Sequence, residues 1–144
     1  MKISNPNQIG IFLIEDDDID AMSIKREFKR RKIANPITRA KDGVEAFEFL
    51  ASEKINCPFI ILLDLQMPRM NGLEFLTKLR ADSDYKNSVV FILTTSLDKQ
   101  DIFNSYELNI AGYFIKDEVG EGLIGIVDIL NGYMNLVHLP KMLN

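Results

Sequence analysis

The sequence FIILLDLQMPRMNG, residues 59–72, is the most informative guide to the fold of this chain. Its first five residues form a short, unbroken apolar run, which is typical of a strand buried on both faces of a parallel sheet. Asp64 follows this run directly, and Pro68 and Gly72 mark a loop beyond it. In open α/β sheets the carboxyl ends of the strands carry the ligand site. Asp64 is therefore the first candidate for a functional residue.

A second apolar run, residues 9–14, also ends in acids: Glu15, Asp16 and Asp17 follow it. If the two strands are neighbours, up to three carboxylates meet at one edge of the sheet. Carboxylates held this close repel one another unless a cation neutralises them. Oxygen ligands without histidine or cysteine suit Mg²⁺, or Mn²⁺ in its place. The pattern thus predicts a divalent metal site.

Strand and helix patterns alternate five times along the chain. The predicted strands are residues 9–14, 36–40, 59–63, 89–93 and 112–115, and amphipathic helix patterns follow each of them. This order predicts an α/β fold, a flavodoxin-like (βα)5 doubly wound parallel sheet with strand order 2-1-3-4-5. We expect one domain over residues 1–144, with a core at about 8–135, an apolar tail at 136–144 and no output domain.

Some details of the helices follow from residue type. One of Asp17, Asp18 and Asp20 is expected to cap the first helix, and Asp98 is expected to cap the fourth. Met22 is expected to fill space in the core. Tyr106 is expected on the apolar stripe of the fourth helix.

Composition excludes several classes of function. The formal net charge of −4 argues against nonspecific nucleic-acid binding, which requires a basic surface. No apolar run approaches the length of a membrane span, and the first residues do not resemble a signal peptide. Cys57 is the single cysteine, so no disulfide forms within the chain and a reducing, cytoplasmic location is expected.

Two more polar residues follow predicted strands: Thr94 after the fourth and Lys116 after the fifth. A metal ion beside a carboxylate nucleophile suits phosphoryl transfer, because the cation offsets charge on the transferred group. Aspartate can form an acyl phosphate. Lys116 would supply a cation for one phosphoryl oxygen and Thr94 a hydroxyl donor for another.

Taken together, these motifs resemble response regulator receiver domains over nearly the whole chain. The matching motifs are Glu15-Asp16, residues 64–72, Thr94-Thr-Ser96 and Lys116. The resemblance implies that Asp64 accepts the phosphoryl group from a sensor histidine kinase and that the domain signals to a downstream protein, which the sequence does not name. It also implies that Glu15, Asp16 and Asp64 hold the metal.

Further roles rest on the same resemblance. The backbone carbonyl of Gln66 is implied as a metal contact. Thr94 and Tyr113 match the switch pair that repacks when phosphate binds. The side chains of Gln66 and Ser96 occupy positions that tune the lifetime of the phosphoryl group.

A narrower resemblance is to the stand-alone regulators of phytochrome-type histidine kinases. It rests on residues 93–96, residues 101–106 and Leu139-Pro140. One departure from most receivers is Asp117, which stands where they carry proline after the lysine. Because a cis bond without proline costs about 2.5–4 kcal/mol, we expect a trans bond between Lys116 and Asp117.

Two other functions remain open at this point. A phosphatase of the aspartyl-phosphate type would need a second acid two residues after the nucleophile, and Gln66 there disfavours it. A degenerate receiver that accepts no phosphate is disfavoured by the intact Asp64, Asp16, Thr94 and Lys116. The basic run at residues 25–32 is either a solvated helix face or a kinase docking surface.

The apolar residues near the end of the chain are unusual, since free ends are commonly polar. We expect them to extend a surface made by the fourth helix, fifth strand and fifth helix, and we predict a two-fold homodimer through it. The alternative is a tail folded back on its own domain. The residues concerned are Leu136, Val137, Leu139, Met142 and Leu143.

Overall fold

The structure, a computed structural model, describes residues 8–55, 57–116 and 124–139, in which strands and helices alternate. The strands are β1 (Gly10–Ile14), β2 (Ile37–Ala40), β3 (Phe59–Leu63), β4 (Val89–Thr94) and β5 (Gly112–Ile115). The helices are α1 (Asp18–Arg30), α2 (Gly43–Ala51), α3 (Gly72–Ala81), α4 (Lys99–Glu107) and α5 (Ile124–Leu136).

The five strands form one parallel sheet in the order β2-β1-β3-β4-β5, which confirms the predicted topology. Ile14 pairs with Leu63, and Leu63 pairs with Ile92. The central strands therefore end nearly level with one another. This register brings the polar residues that follow them to one edge of the sheet.

Both faces of the sheet are covered, as a parallel sheet requires. Phe12 and Ile14 of β1 face a core shared with α2 and α3, while Ile11 and Leu13 face a core shared with α1 and α5. All five residues of β1 and all five of β3 are buried. The unbroken apolar runs in the sequence thus reflect strands with no solvent face.

Side chains cap the helices that begin beside the carboxyl edge. Asp17 caps α1 by accepting from the backbone N–H groups of Ile19 and Asp20, and Asp98 caps α4 in the same manner. Both caps were expected from the sequence. Asp42 caps α2 and Asn71 caps α3.

Two expectations about helix faces are wrong. Met22 is 56% exposed, because α1 turns Ala21, Ile24 and Phe28 toward the core and the next position points outward. Tyr106 is 51% exposed, whereas its small neighbour Ser105 is the fully buried position of α4. No described helix is both long and apolar enough to cross a membrane.

Arg80, at the end of α3, joins three segments of backbone. Its guanidinium donates to the carbonyl oxygens of Lys86 and Ser88 at 2.7 Å each, before β4. It also donates to Leu108 at 2.7 Å and to Asn109 at 3.0 Å, between α4 and β5. The planar guanidinium can satisfy four acceptors at once, which a lysine ammonium cannot.

Replacing Arg80 with lysine should therefore destabilise the fold. We expect Arg80→Lys to lower the free energy of unfolding by about 2–4 kcal/mol, because most of these carbonyls lose their donor. Urea denaturation measures the difference. The exposed Arg26 of α1 supplies the control, Arg26→Lys. Equal stability of the two variants would contradict a structural role for Arg80.

Candidate functional site

Three carboxylates converge where β1 and β3 end. Glu15 and Asp16 follow β1, Asp64 follows β3, and one carboxylate oxygen of each lies within 4.8 Å of those of the other two. Glu15 and Asp64 are buried, whereas Asp16 is exposed. The sequence predicted this convergence, and it arises because neighbouring parallel strands end level.

Lys116 brings an ammonium to the same place from the end of β5. Its Nζ lies 2.9 Å from Glu15 Oε1, 3.3 Å from Asp64 Oδ2 and 2.7 Å from Asp20 Oδ2. The contacts with Glu15 and Asp64 fit the predicted location of Lys116. The sequence does not predict the contact with Asp20, since its position indicates only a cap for α1 or a favourable charge at the positive end of that helix.

The electrostatics follow from burial and like charge. Burial, together with the nearby charge of Asp64, raises the pKa of Glu15 to about 8. Burial alone would lower the pKa of Lys116, but hydrogen bonds to Asp20 and Glu15 and the charge of Asp64 raise it above its ordinary value. One ammonium thus faces several carboxylates, so the site retains an excess of negative charge.

A divalent cation fits this donor set. Three carboxylates in mutual reach, two of them buried, offer the hard oxygen ligands that Mg²⁺ and Mn²⁺ prefer. The exposed Asp16 leaves room on the solvent side for the waters that Mg²⁺ keeps. Residues Glu15, Asp16 and Asp64 would hold the ion, and the Gln66 carbonyl remains a predicted fourth contact.

The loop after Asp64 lies tightly against the start of α3. A Cβ on Gly72 would lie 2.4 Å from the backbone oxygen of Asp64 and 2.7 Å from Leu65 Cα, so only glycine fits there. The Gly72 N–H donates to the carbonyl of Leu65 at 3.0 Å. Within the loop, the Gln66 N–H donates to Asp64 Oδ1 at 3.2 Å. These contacts fix the direction of the Asp64 carboxylate.

An ion pair anchors the same loop from the opposite side. Arg69 donates to the two carboxylate oxygens of Asp42 at 2.8 and 3.0 Å. This bond holds the pKa of Asp42 below its ordinary value. Arg69 has a φ of 61°, a left-handed conformation that a side chain other than glycine adopts only at some cost. The pair thus holds the loop against α2 in a strained turn.

The two residues expected to form a switch pair, Thr94 and Tyr113, lie on the β4 and β5 side of Asp64. Thr94, the last residue of β4, is fully buried. Tyr113 Oη donates to the carbonyl of Ser96 at 2.9 Å, and Ser96 Oγ donates to Asp101 Oδ2 at 2.6 Å. The segment after β4 is therefore tied to both β5 and α4.

The two expected tuning residues are engaged in local hydrogen bonds. Gln66 Oε1 accepts from Thr95 Oγ1 at 2.6 Å, and Ser96 bonds to Asp101 as above.

The residues that sequence reasoning missed are Asp20, Asp42, Arg69 and Asp101. Only Asp20 carried a usable signal, a carboxylate in the first helical turn after the acidic motif. The expected trans bond between Lys116 and Asp117 lies outside the described residues.

Comparison with known proteins gives a consistent result. The sequence profile of the response regulator receiver domain matches residues 11–128. Response regulator Rcp1 of Synechocystis sp. is 32% identical over 142 residues, which cover 95% of this chain and 96% of that protein.

Solved structures agree over the same length. The Mn²⁺-bound form of Rcp1 matches with a TM-score of 0.80 and 32% identity, covering 92% of this chain and 99% of that one. The phosphorylated cyanobacterial phytochrome response regulator RcpA matches with a TM-score of 0.83 and 29% identity, covering 93% of this chain and 99% of that one.

Proposed function

This chain belongs to the response regulator receiver domain family, and we propose on that basis that Asp64 accepts a phosphoryl group from a histidine of a sensor kinase. The observation that carries the proposal is the position of Asp64. It is a buried carboxylate at a strand end, between two other carboxylates and the ammonium of Lys116. That arrangement provides a nucleophile, candidate metal ligands and a cation in one place.

The chemistry assigned to each residue follows from its location. One oxygen of Asp64 attacks phosphorus, and the bond to the donor atom breaks, which leaves an acyl phosphate on Asp64. Lys116 moves its ammonium to a phosphoryl oxygen, and the buried hydroxyl of Thr94 donates to another. When bound by Glu15, Asp16, Asp64 and the carbonyl of Gln66, Mg²⁺ or Mn²⁺ offsets the negative charge of the phosphoryl oxygens.

The response proposed for this domain begins at Thr94. When the hydroxyl of Thr94 turns to the phosphoryl group, the segment after β4 moves with it. Tyr113 is bonded to Ser96 in that segment, so the movement passes to β5. The bond between Ser96 and Asp101 passes it to α4. Thr94 and Tyr113 therefore act as the switch pair.

Loss of the phosphoryl group is the second half of the cycle. We assign to the domain a slow, self-catalysed hydrolysis of its acyl phosphate. The side chains of Gln66 and Ser96 control how easily water reaches the phosphorus atom. In this structure both side chains are turned to neighbours, Thr95 and Asp101. This domain is a signalling protein with a catalytic site for its own modification.

The relatives suggest the type of partner. RcpA is described as a cyanobacterial phytochrome response regulator, and it matches nearly the whole of this chain. We assign the cognate kinase to the phytochrome type, with a downstream protein as the receiver of the signal. A cytoplasmic location is proposed from the single free thiol of Cys57.

A homodimer through α4, β5 and α5 completes the proposal. Phe103 on α4 is 59% exposed and Ile129 on α5 is 51% exposed, so both helices present apolar area to solvent. Leu136 is 83% exposed. Val137 and Leu139 instead pack against the core of their own domain, as the alternative arrangement required. Met142 and Leu143 lie outside the described residues.

The phosphoacceptor assignment is tested by Asp64→Asn. We expect labelling by acetyl phosphate in Mg²⁺ to disappear, because the amide cannot act as the nucleophile, and chelation of the metal should give the same loss. Intact-mass measurement detects the added phosphate. The exposed Asp84 provides a control, Asp84→Asn. Undiminished labelling of Asp64→Asn, with phosphate mapped to another residue, would show that Asp64 is not the phosphoacceptor.

The switch role is tested by Thr94→Ala. This variant should still be labelled at Asp64, but its conformational response should be blunted, because no hydroxyl reaches the phosphoryl group. The chain has no tryptophan, so its fluorescence comes from four tyrosines, and the part of the change that Tyr113→Phe removes reports on Tyr113. Thr77→Ala on the exposed face of α3 is the control. A full fluorescence change in Thr94→Ala would refute the switch role.

The dimer is tested by placing charge on its proposed surface. Phe103→Asp and Ile129→Asp should each shift the sedimentation coefficient from dimer to monomer while labelling of Asp64 continues. Ile19→Asp is the matched control, since Ile19 is 75% exposed and lies on α1, which is not part of the surface made by α4, β5 and α5. The proposal fails if the unchanged protein sediments as a monomer at tens of micromolar, with and without a phosphoryl analogue.

A further inference from the structure

The shortest contact of Lys116 is with a carboxylate outside the acidic cluster. Asp20 Oδ2 lies 2.7 Å from Lys116 Nζ, whereas Asp64 Oδ2 lies 3.3 Å from it. Asp20 is in the first turn of α1, and the cluster of Glu15, Asp16 and Asp64 does not include it. Among the described residues, Lys116 is the one side chain to which the Asp20 carboxylate is hydrogen-bonded.

We propose that Asp20 is a positioning residue that retains Lys116 in the unphosphorylated domain and thereby opposes phosphorylation of Asp64. The inference rests on the proposed function, because it concerns the phosphoryl group that Asp64 would carry. It adds a residue on α1 to a site otherwise built from the ends of β1, β3, β4 and β5.

Lys116 has no spare N–H group for a phosphoryl oxygen. An ammonium has three N–H groups. In this structure three carboxylates, Glu15, Asp20 and Asp64, lie within reach of Nζ. A phosphoryl oxygen can gain an N–H from Lys116 only if one of these bonds is given up. The longest contact, to Asp64 at 3.3 Å, is the easiest to give up, but the shorter bond to Asp20 at 2.7 Å still holds Nζ toward α1 and opposes its movement to the phosphoryl oxygen.

The negative charge of Asp20 also opposes phosphorylation of Asp64. The acyl phosphate on Asp64 carries about two negative charges, in place of the single charge of the free carboxylate. The carboxylate of Asp20 places another negative charge next to the same ammonium, within hydrogen-bond distance of it. Its side chain is 38% exposed, so solvent weakens this effect without removing it. Removing the charge of Asp20 thus frees Lys116 and lowers repulsion at once, and both effects favour the phosphorylated state.

Asp20→Asn and Asp18→Asn make a matched pair of variants. Both remove one acid from the first turn of α1, but Asp18 pairs with Arg39 and does not touch Lys116. The experiment measures the affinity of each protein for the phosphoryl analogue beryllofluoride in Mg²⁺, and the half-life of the phosphate that acetyl phosphate introduces.

We expect Asp20→Asn to bind beryllofluoride about three- to tenfold more tightly than the unchanged protein and to keep phosphate longer by a similar factor. Asp18→Asn should change neither quantity. Asp20→Glu, which restores the carboxylate, should return both toward the original values. Equal or weaker binding by Asp20→Asn, relative to Asp18→Asn, overturns the proposal.

A metal-free measurement separates this inference from the proposed function. The side-chain ammonium resonance of Lys116, observed by ¹⁵N NMR without metal or analogue, should shift in Asp20→Asn and stay in place in Asp18→Asn. An unmoved resonance overturns the retention of Lys116 by Asp20. Failure of the unchanged protein to bind beryllofluoride or accept phosphate would instead refute the phosphoacceptor role of Asp64.

Discussion

The burial of Glu15 and Asp64 side by side is the constraint on which the rest of the structure depends. Two carboxylates at the ends of neighbouring strands repel each other, and burial adds to the cost of keeping both ionised. The raised pKa of Glu15 reflects this cost. The fold tolerates it because Lys116 lies between them, and because the apolar cores on the two faces of the sheet supply the stability that the site does not.

The contacts around the site hold the loop after Asp64 firmly in place but hold the segment after β4 less firmly. Gly72 packs the start of α3 onto Asp64, and the pair of Arg69 with Asp42 anchors the loop to α2. In contrast, the segment after β4 is held to its surroundings by three separate side-chain hydrogen bonds, from Tyr113, to Asp101 and from Thr95 to Gln66. Asp64 is thus fixed in place beside a segment with few bonds. A change of charge at Asp64 can therefore move the segment after β4.

The sequence predicted the strands, their order and the convergence of Asp64 with Glu15 and Asp16, because short apolar runs mark buried parallel strands and their ends meet at one edge. Contacts set by the details of a turn or a helix were not predictable in this way. Arg69 meets Asp42 across 27 residues through a left-handed turn. Asp20 reaches Lys116 only because Asp17 fixes where α1 begins. Met22 was misplaced because one position on a helix separates a buried face from an exposed one.

The central claim is that three carboxylates form a site completed by a divalent cation, and the most direct test is the melting temperature as a function of Mg²⁺ concentration. A ligand that binds only the folded state stabilises it by RT ln(1 + c/Kd), where c is its concentration, so the gain grows with the logarithm of the ligand concentration once that concentration exceeds the dissociation constant. We expect millimolar Mg²⁺ to raise the melting temperature of the unchanged protein, and we expect Asp16→Asn, which removes the exposed carboxylate of the cluster, to lose most of that rise. A melting temperature that ignores Mg²⁺, or an equal rise in Asp16→Asn, would contradict the central claim.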